Sequence, residues 1–327
     1  MAKTTITTLN AHAQTWLDSR TAMSSNYDER LRWNHHLSPY LGHLDPDQVN
    51  VPVLKKTICT LRAKGLAKSS VGLCVRLLSS LYGDLVEDGC ARQNPTRLLS
   101  KKTRVAELKT DHDPQKTPFV KDPNDITRIY QYLRPRYEAV ATAYAIGALA
   151  GLRTGEVRAL AWEHVDLERK LIHVQVQVER RRGRASVSPT GLSVPKDDDS
   201  RWVPISDSLF PILKELHRGT GLVCLAAGGA AADPRRRFVG EKALGDLLAA
   251  ALAELKIETM TFYQATRHSF ASQWVLHGGS LEKLREILGH SSVTTTERYV
   301  HLTPGRFTDE DRARVRVDLT GGIHDQS

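Results

Sequence analysis

The stretch from residue 260 to residue 302, MTFYQATRHSFASQWVLHGGSLEKLREILGHSSVTTTERYVHL, constrains this chain more than any other. It holds two helix patterns parted by Gly278-Gly279, with Ser280 placed as an N-cap. Leu281, Leu284 and Leu288 give the second helix an apolar stripe, which core packing explains in full. Three residues answer to no such need. Arg267 follows a short polar run and opens the first helix pattern, His290 stands just past Leu288-Gly289, and Tyr299 comes after a run of Thr. An Arg, a His and a Tyr are what phosphoryl transfer without a metal requires. Arg neutralises phosphate oxygens bidentately, His supplies a donor or a proton near neutral pH, and Tyr can act as a covalent nucleophile.

The same stretch resembles the C-terminal signature of the tyrosine recombinases, the phage-integrase family. That pattern is His-x-x-Arg-His, an apolar helix, Leu-Gly-His and Thr-x-x-x-Tyr. Arg267-His268, Leu288-Gly289-His290 and Thr295 to Tyr299 match it, and Gln264 stands where the family has its first His. A second run, GLRTGEVRALAWEHVDL over residues 151–167, resembles the family box that carries the first catalytic Arg. The resemblance implies a mainly α (α+β) fold of integrase type. An all-helical core-binding domain comes first, then a mostly helical catalytic domain with a small antiparallel sheet.

Length and charge agree with two domains and a polyanionic partner. The chain has 327 residues and a net charge of +9, enough for two cores and a surface suited to nucleic acid. Cys59, Cys74, Cys90 and Cys224 are scattered without a C-x-x-C, as expected of reduced thiols in a cytoplasmic, DNA-associated protein. No apolar run approaches the length of a membrane span, and the first residues lack an apolar signal core.

Residues 1–100 read as helical, with helices expected near 8–19, 26–41, 50–64 and 70–87. Val71, Cys74, Leu78, Leu81, Tyr82 and Leu85 share one face of the last, with Ser69 or Ser70 as N-cap and Gly89 as C-cap. Lys55, Lys56, Arg62, Lys64, Lys68 and Arg76 lie on opposite faces. A solvated surface explains them, and the resemblance adds DNA contact, above all for Lys68 and Arg76. His35, His36 and His43 show no ligand spacing, and no metal is expected. Residues 101–122 are polar, basic and Pro-punctuated and read as a linker.

The second domain is expected over 123–327, with a charged tail from 303. Helices are expected over 126–133 and 137–149. Gly151 ends the second of these, Thr154 caps the next helix, and Glu156 lies close enough to orient Arg153 by a charged hydrogen bond. Alternation over 171–178 and 201–205 predicts two strands. Between them fall Arg180, Arg181, Arg182 and Arg184, read as phosphate contacts rather than a solvated hairpin tip. Lys196, Asp197, Asp198 and Asp199 also fall there.

Roles come from the resemblance. Arg153 and Arg267 clamp the phosphate, His290 adds a donor, and Tyr299 is the nucleophile. Lys196 precedes a Val-Pro strand end at the family interval and protonates the departing 5′ oxygen. Glu156 and His268 support, and Gln264 occupies the proton-transfer position. The expected reaction cuts and rejoins double-stranded DNA through a 3′-phosphotyrosyl bond, without cofactor, metal or ATP. The expected assembly is a homo-tetramer at the synapse, with accessory DNA-bending proteins as possible partners and no membrane. Two other readings stay open: a type IB topoisomerase-like enzyme, and a DNA-binding protein derived from a recombinase that has lost catalysis.

Overall fold

The chain divides into two compact units, the described residues up to 108 falling in the first and those from 116 in the second. The structure, a computed structural model, describes residues 8–21, 23, 25–108, 116–179, 190–194, 200–226 and 237–303.

The first unit is helical throughout its described residues. Helix α1 (Leu9–Ser19) is capped by Thr8, and α2 (Asn26–Arg32) runs through a wide turn at Trp33–Leu37 into α3 (Ser38–Leu41). Helix α4 (Val51–Ala63) is capped by Asn50, whose side chain accepts from Val53 N–H at 3.0 Å. Helix α5 (Lys68–Glu87) is the long central element. Its buried residues include Val71, Cys74, Leu78, Leu81, Tyr82 and Leu85, the face expected from spacing. The expected Ser caps are not used. The helix begins slightly earlier, from Ala67, which offers no side-chain cap.

A second difference is α6 (Lys101–Glu107), inside the stretch expected as a linker. No residue of α6 is buried, so no apolar stripe announces it. Ser100 caps it, and Arg104 ties it back by donating to the carbonyls of Thr96, Arg97 and Leu99.

In the second unit, α7 (Pro123–Leu133) starts from the Asp122 cap and packs on α8 (Glu138–Ala150). Helix α8 is apolar almost all round, and ten of its residues are buried. A helix of that composition belongs inside a core. Gly151, in the left-handed region, ends it, and α9 (Thr154–Ala159) follows at once.

Among the described residues, five short strands come next: β1 (Val165–Asp166), β2 (Leu171–Val174), β3 (Gln177–Val178), β4 (Leu192–Ser193) and β5 (Arg201–Pro204). The strand expected over 171–178 is therefore two. Strand β2 lies between β1 and β5 in an antiparallel sheet, with Ile172 opposite Val203 and Val174 opposite Arg201. Strand β3 instead pairs with β4.

Helices α10 (Phe210–Leu216) and α11 (Glu241–Glu254) complete the main core with Leu213, Leu244, Leu248 and Leu252. The chain then forms a helix from Phe262 that opens into a wide, π-type turn at Gln264–His268 and resumes as α12 (Ser269–Leu276). Helix α13 (Leu281–Leu288) has Ser280 as its N-cap, as its sequence predicts. Helix α14 (Val293–Glu297) and a short 3-10 turn (Val300–Leu302) close the described chain.

Candidate active site

The site is assembled where α8, α9, β5, the wide turn and the end of α13 come together. Gly147 allows the closest of these approaches. A Cβ there would lie 2.8 Å from Thr266 Cβ, so only Gly lets α8 sit this near the turn that carries Arg267.

The C-terminus of α13 organises the charges. A helix end leaves carbonyls without partners and carries a partial negative charge. Two of these carbonyls are answered by backbone. The N–H of Gly289 bonds Glu286 O at 3.1 Å and that of His290 bonds Arg285 O at 3.2 Å, a Schellman pair around Gly289 at φ +60°. The next three carbonyls are each answered by a different guanidinium. Arg201 donates to Ile287 O at 2.7 Å, Arg267 to Leu288 O at 2.6 Å, and Arg153 to Gly289 O at 2.6 Å.

One carboxylate sits among the three cations. Glu156 is 1% exposed. Its oxygens accept from Arg153 Nη1 at 2.8 Å, from the Arg153 backbone N–H at 2.8 Å, and from both terminal nitrogens of Arg201 at 3.0 and 2.7 Å. Burial alone would raise its pKa. The Arg201 hydrogen bonds and charge, followed by the charge and backbone N–H of Arg153, outweigh that and hold it at about 2. Arg267 donates its other terminal nitrogen to Gly151 O at 2.9 Å. Burial first, then the charge of Arg153, lower its pKa to about 10, so it stays protonated at neutral pH.

His290 follows directly on this anchored turn. Its Nδ1 lies 2.8 Å from Thr296 Oγ1. Burial, then the charges of Arg267 and Arg153, push its pKa down to about 4, so the imidazole is neutral at pH 7.

Tyr299 is fully buried in a small apolar cluster with Ala271, Val275, Leu284 and Leu288. Its hydroxyl lies 3.1 Å from His268 Nδ1. Burial first, then the neighbouring Tyr263, raise the phenol well above its ordinary value.

Gln264 does something different from a family His. Its Oε1 accepts from the backbone N–H and hydroxyl of Thr261 at 2.8 and 2.9 Å, while Thr261 Oγ1 accepts from Gln264 N–H at 3.3 Å. This is a reciprocal capping box spelled Thr-x-x-Gln.

Of the residues singled out from sequence, Arg153, Glu156, Gln264, Arg267, His268, His290 and Tyr299 share this region. Lys196, Asp197 to Asp199, and Arg180, Arg181, Arg182 and Arg184 lie outside the described residues. Lys68 and Arg76 belong to the first unit. Lys68 opens α5, and Arg76 is exposed and lines a cavity of about 400 Å³ with Arg97 and Arg104. Sequence reading missed Arg201. Its one available signal was a polar residue opening the β5 alternation. Among the described residues, no three His, Cys, Asp or Glu side chains gather as a metal-ligand set. Among them, too, no helix is long and apolar enough to cross a membrane.

The profile of the Phage integrase family matches residues 120–306, more than half of the chain. The chain belongs to the phage integrase family. It is a tyrosine recombinase, an enzyme of site-specific DNA recombination that works by strand breakage and rejoining. Among curated relatives, a tyrosine recombinase XerC-like protein of Caldanaerobacter subterraneus subsp. tengcongensis is 24% identical, covering 92% of this chain and 81% of its own. The tyrosine recombinase XerC of Pseudomonas aeruginosa is 25% identical, over 87% of this chain and 86% of its own. Among solved structures, the Tn1549 transposon integrase in complex with a circular intermediate DNA matches with a TM-score of 0.73 at 18% identity. That match covers 94% of this chain and 98% of the other. A lambda integrase dimer bound to a COC′ core site matches at 0.62 and 13% identity, over 88% and 97%. The recombinase thus shares its fold with integrases across nearly its whole length.

Proposed function

We propose that the recombinase binds a double-stranded DNA site and cleaves it with Tyr299 as nucleophile, using Arg153, Arg267 and His290 to hold the scissile phosphate. The observation that carries this reading is the α13 terminus. It fixes two guanidiniums and a neutral imidazole around one place, and the Arg153 side chain is still 31% exposed there. A phosphate bound at that place meets positive charge already oriented, with little reorganisation left for the transition state. The phosphate also brings negative charge to His290, raising its proton affinity and improving it as a donor.

Attack by the Tyr299 oxygen on phosphorus forms the 3′-phosphotyrosyl bond and breaks the bond to the 5′ oxygen, which takes up a proton as it leaves. Lys196 is assigned as the source of that proton. The covalent bond conserves the energy of the phosphodiester, so the reverse attack by a 5′ hydroxyl rejoins DNA without ATP. Before attack, Tyr299 has to leave its buried seat against His268 and give up its own proton to solvent. Gln264 cannot accept that proton near neutral pH.

The core-binding role falls to residues 1–100, the linking role to 101–122, and the catalytic role to 123–327. Exposed Arg76, together with Arg97 and Arg104 along the same cavity, supports a backbone-binding surface in the first unit. Lys68, Arg180, Arg181, Arg182 and Arg184 are proposed as further phosphate contacts. Exchange of two duplexes needs four active sites, so a homo-tetramer on DNA is proposed, with DNA-bending proteins as candidate helpers.

Covalent trapping tests the whole reading. The protein is mixed, in EDTA and without ATP, with nicked duplexes drawn from its own genomic neighbourhood, so that the 5′ fragment diffuses away. A denaturation-resistant adduct that maps to Tyr299 by mass spectrometry and vanishes in Tyr299→Phe is the expected result. DNA retention in native gels with no adduct at any pH would hand the case to a binding-only protein.

A further inference from the structure

Arg201 makes as many contacts in the site as either proposed clamp residue, yet it cannot touch a substrate. Its side chain is 9% exposed, against 31% for Arg153, and the Glu156 side chain between them is not exposed at all. The turn also folds directly over its stem. A Cβ at Gly289 would come within 2.9 Å of Arg201 Cδ. All three of its nitrogens are used, Nε on Ile287 O and the terminal pair on the two oxygens of Glu156.

We propose that Arg201 is a positioning residue of the cleavage reaction: it takes up the charge of Glu156, so that Arg153 keeps its own for the scissile phosphate, and it fixes the turn that carries His290. This rests on the recombinase reading given above. The charge balance is simple. Arg153, Arg201 and Arg267 carry three positive charges against the one negative charge of Glu156. Without Arg201, the nearest counter-charge left to the carboxylate is Arg153, the one guanidinium of the three that is substantially open to solvent. The clamp would then be neutralised from behind before any phosphate arrived. Lys could not replace Arg201. Its single ammonium cannot span both carboxylate oxygens in a planar fork and also reach the Ile287 carbonyl.

Three proteins decide the matter: Arg201→Met, Arg201→Lys, and Arg201→Met combined with Glu156→Gln. Cleavage is followed as single-turnover adduct formation on a nicked duplex, and duplex affinity is measured alongside. In the free protein, affinity for inorganic phosphate is read from the Arg153 side-chain resonances. Arg201→Met is expected to cut adduct formation about 100-fold, the scale of losing one preorganised donor, with duplex affinity unchanged. Arg201→Lys is expected to stay near the Met variant. Adding Glu156→Gln removes the uncompensated carboxylate and is expected to restore about tenfold of the rate, with phosphate affinity falling and recovering in the same order. The double variant removes both ions of the buried pair, so it remains informative if the single one folds poorly.

A merely structural residue would show losses that multiply and no recovery. That result overturns the proposal, as does an Arg201→Met or Arg201→Lys enzyme as fast as wild type. A wild-type protein that forms no adduct but shows the phosphate pattern would sink the recombinase reading and leave the role of Arg201 standing.

Discussion

The two halves of the proposed chemistry are held in opposite ways. The turn at 287–289 has three consecutive carbonyls, each on its own guanidinium, and two of those guanidiniums share one buried carboxylate. Tyr299 sits between a five-residue helix and a 3-10 turn. Its hydroxyl meets His268 and the neighbouring Tyr263, and its ring is held by apolar packing. The proposed phosphate-binding side is held by many directional charged bonds, while the proposed nucleophile is packed away. Packing against Leu and Val is non-directional and can be given up and remade, whereas a charged fork in a low-dielectric site cannot be. A cleavage enzyme gains from this split, because a nucleophile that stays covered until DNA is seated cannot attack the wrong phosphate.

The sharpest way to break the comparison is at Tyr299. Tyr299→Phe is expected to abolish adduct formation while changing the melting temperature little. It gives up the hydroxyl's hydrogen bonding, each bond worth about 1 kcal/mol, and keeps the ring. Denaturing gels and a melting curve on the same sample check both halves. A large stability loss would mean that the nucleophile is built in as firmly as the clamp.

Glu156→Ala is the converse. It leaves Arg201 buried without its carboxylate, and a broken buried pair costs about 3–5 kcal/mol. A strong loss in chemical denaturation is expected here, along with a loss of cleavage. Arg76→Ala in the first unit should leave stability unchanged.

Acidity separates two windows. His290 is held near pH 4 in the folded protein against 6.5 in the free side chain. The unfolded chain therefore binds the extra proton first, and stability falls as pH drops from 6.5 towards 4. Glu156 is held near 2 against 4.5, so its contribution is whole above pH 4.5 and is lost as pH falls through 2. Denaturation midpoints across pH 3–7 should show the upper window flatten in His290→Gln and persist in Tyr299→Phe.

The smallest effect is expected at Gln264. Gln264→His breaks the capping box, at a cost of about 1 kcal/mol, and keeps DNA cleavage. An inactive Gln264→His protein with intact DNA binding would show that this position supports the nucleophile after all.

Much of this was legible because motif residues sit close to the elements that hold them. Arg153 and Glu156 are three apart across a helix start, and His290 follows the Gly that ends α13. Arg201 was not legible in the same way. Its partner Glu156 is 45 positions earlier in α9, while Arg201 stands in β5 opposite Val174, so no local spacing joins the two. Helix α6 was hidden for a different reason. It buries nothing and stands on a cap and on Arg104, so hydrophobic periodicity has nothing to report. The split of 171–178 into two strands was equally silent, since alternation persists while the partner strand changes.

The wide turn at Gln264–His268 carries one last consequence. It puts five successive residues, from Ala265 to Ser269, out of reach of solvent, which a regular helix at the edge of a core does not do. Such a turn amounts to one extra residue carried inside an α-helix. Its reversal is therefore a deletion. Removing one residue there would heal the helix and rotate everything before it by about 100°. The shortened chain would gain a more regular element and lose the facing of Arg267 or of its cap. At this spot the number of residues, and not only their identity, sets which way Arg267 faces.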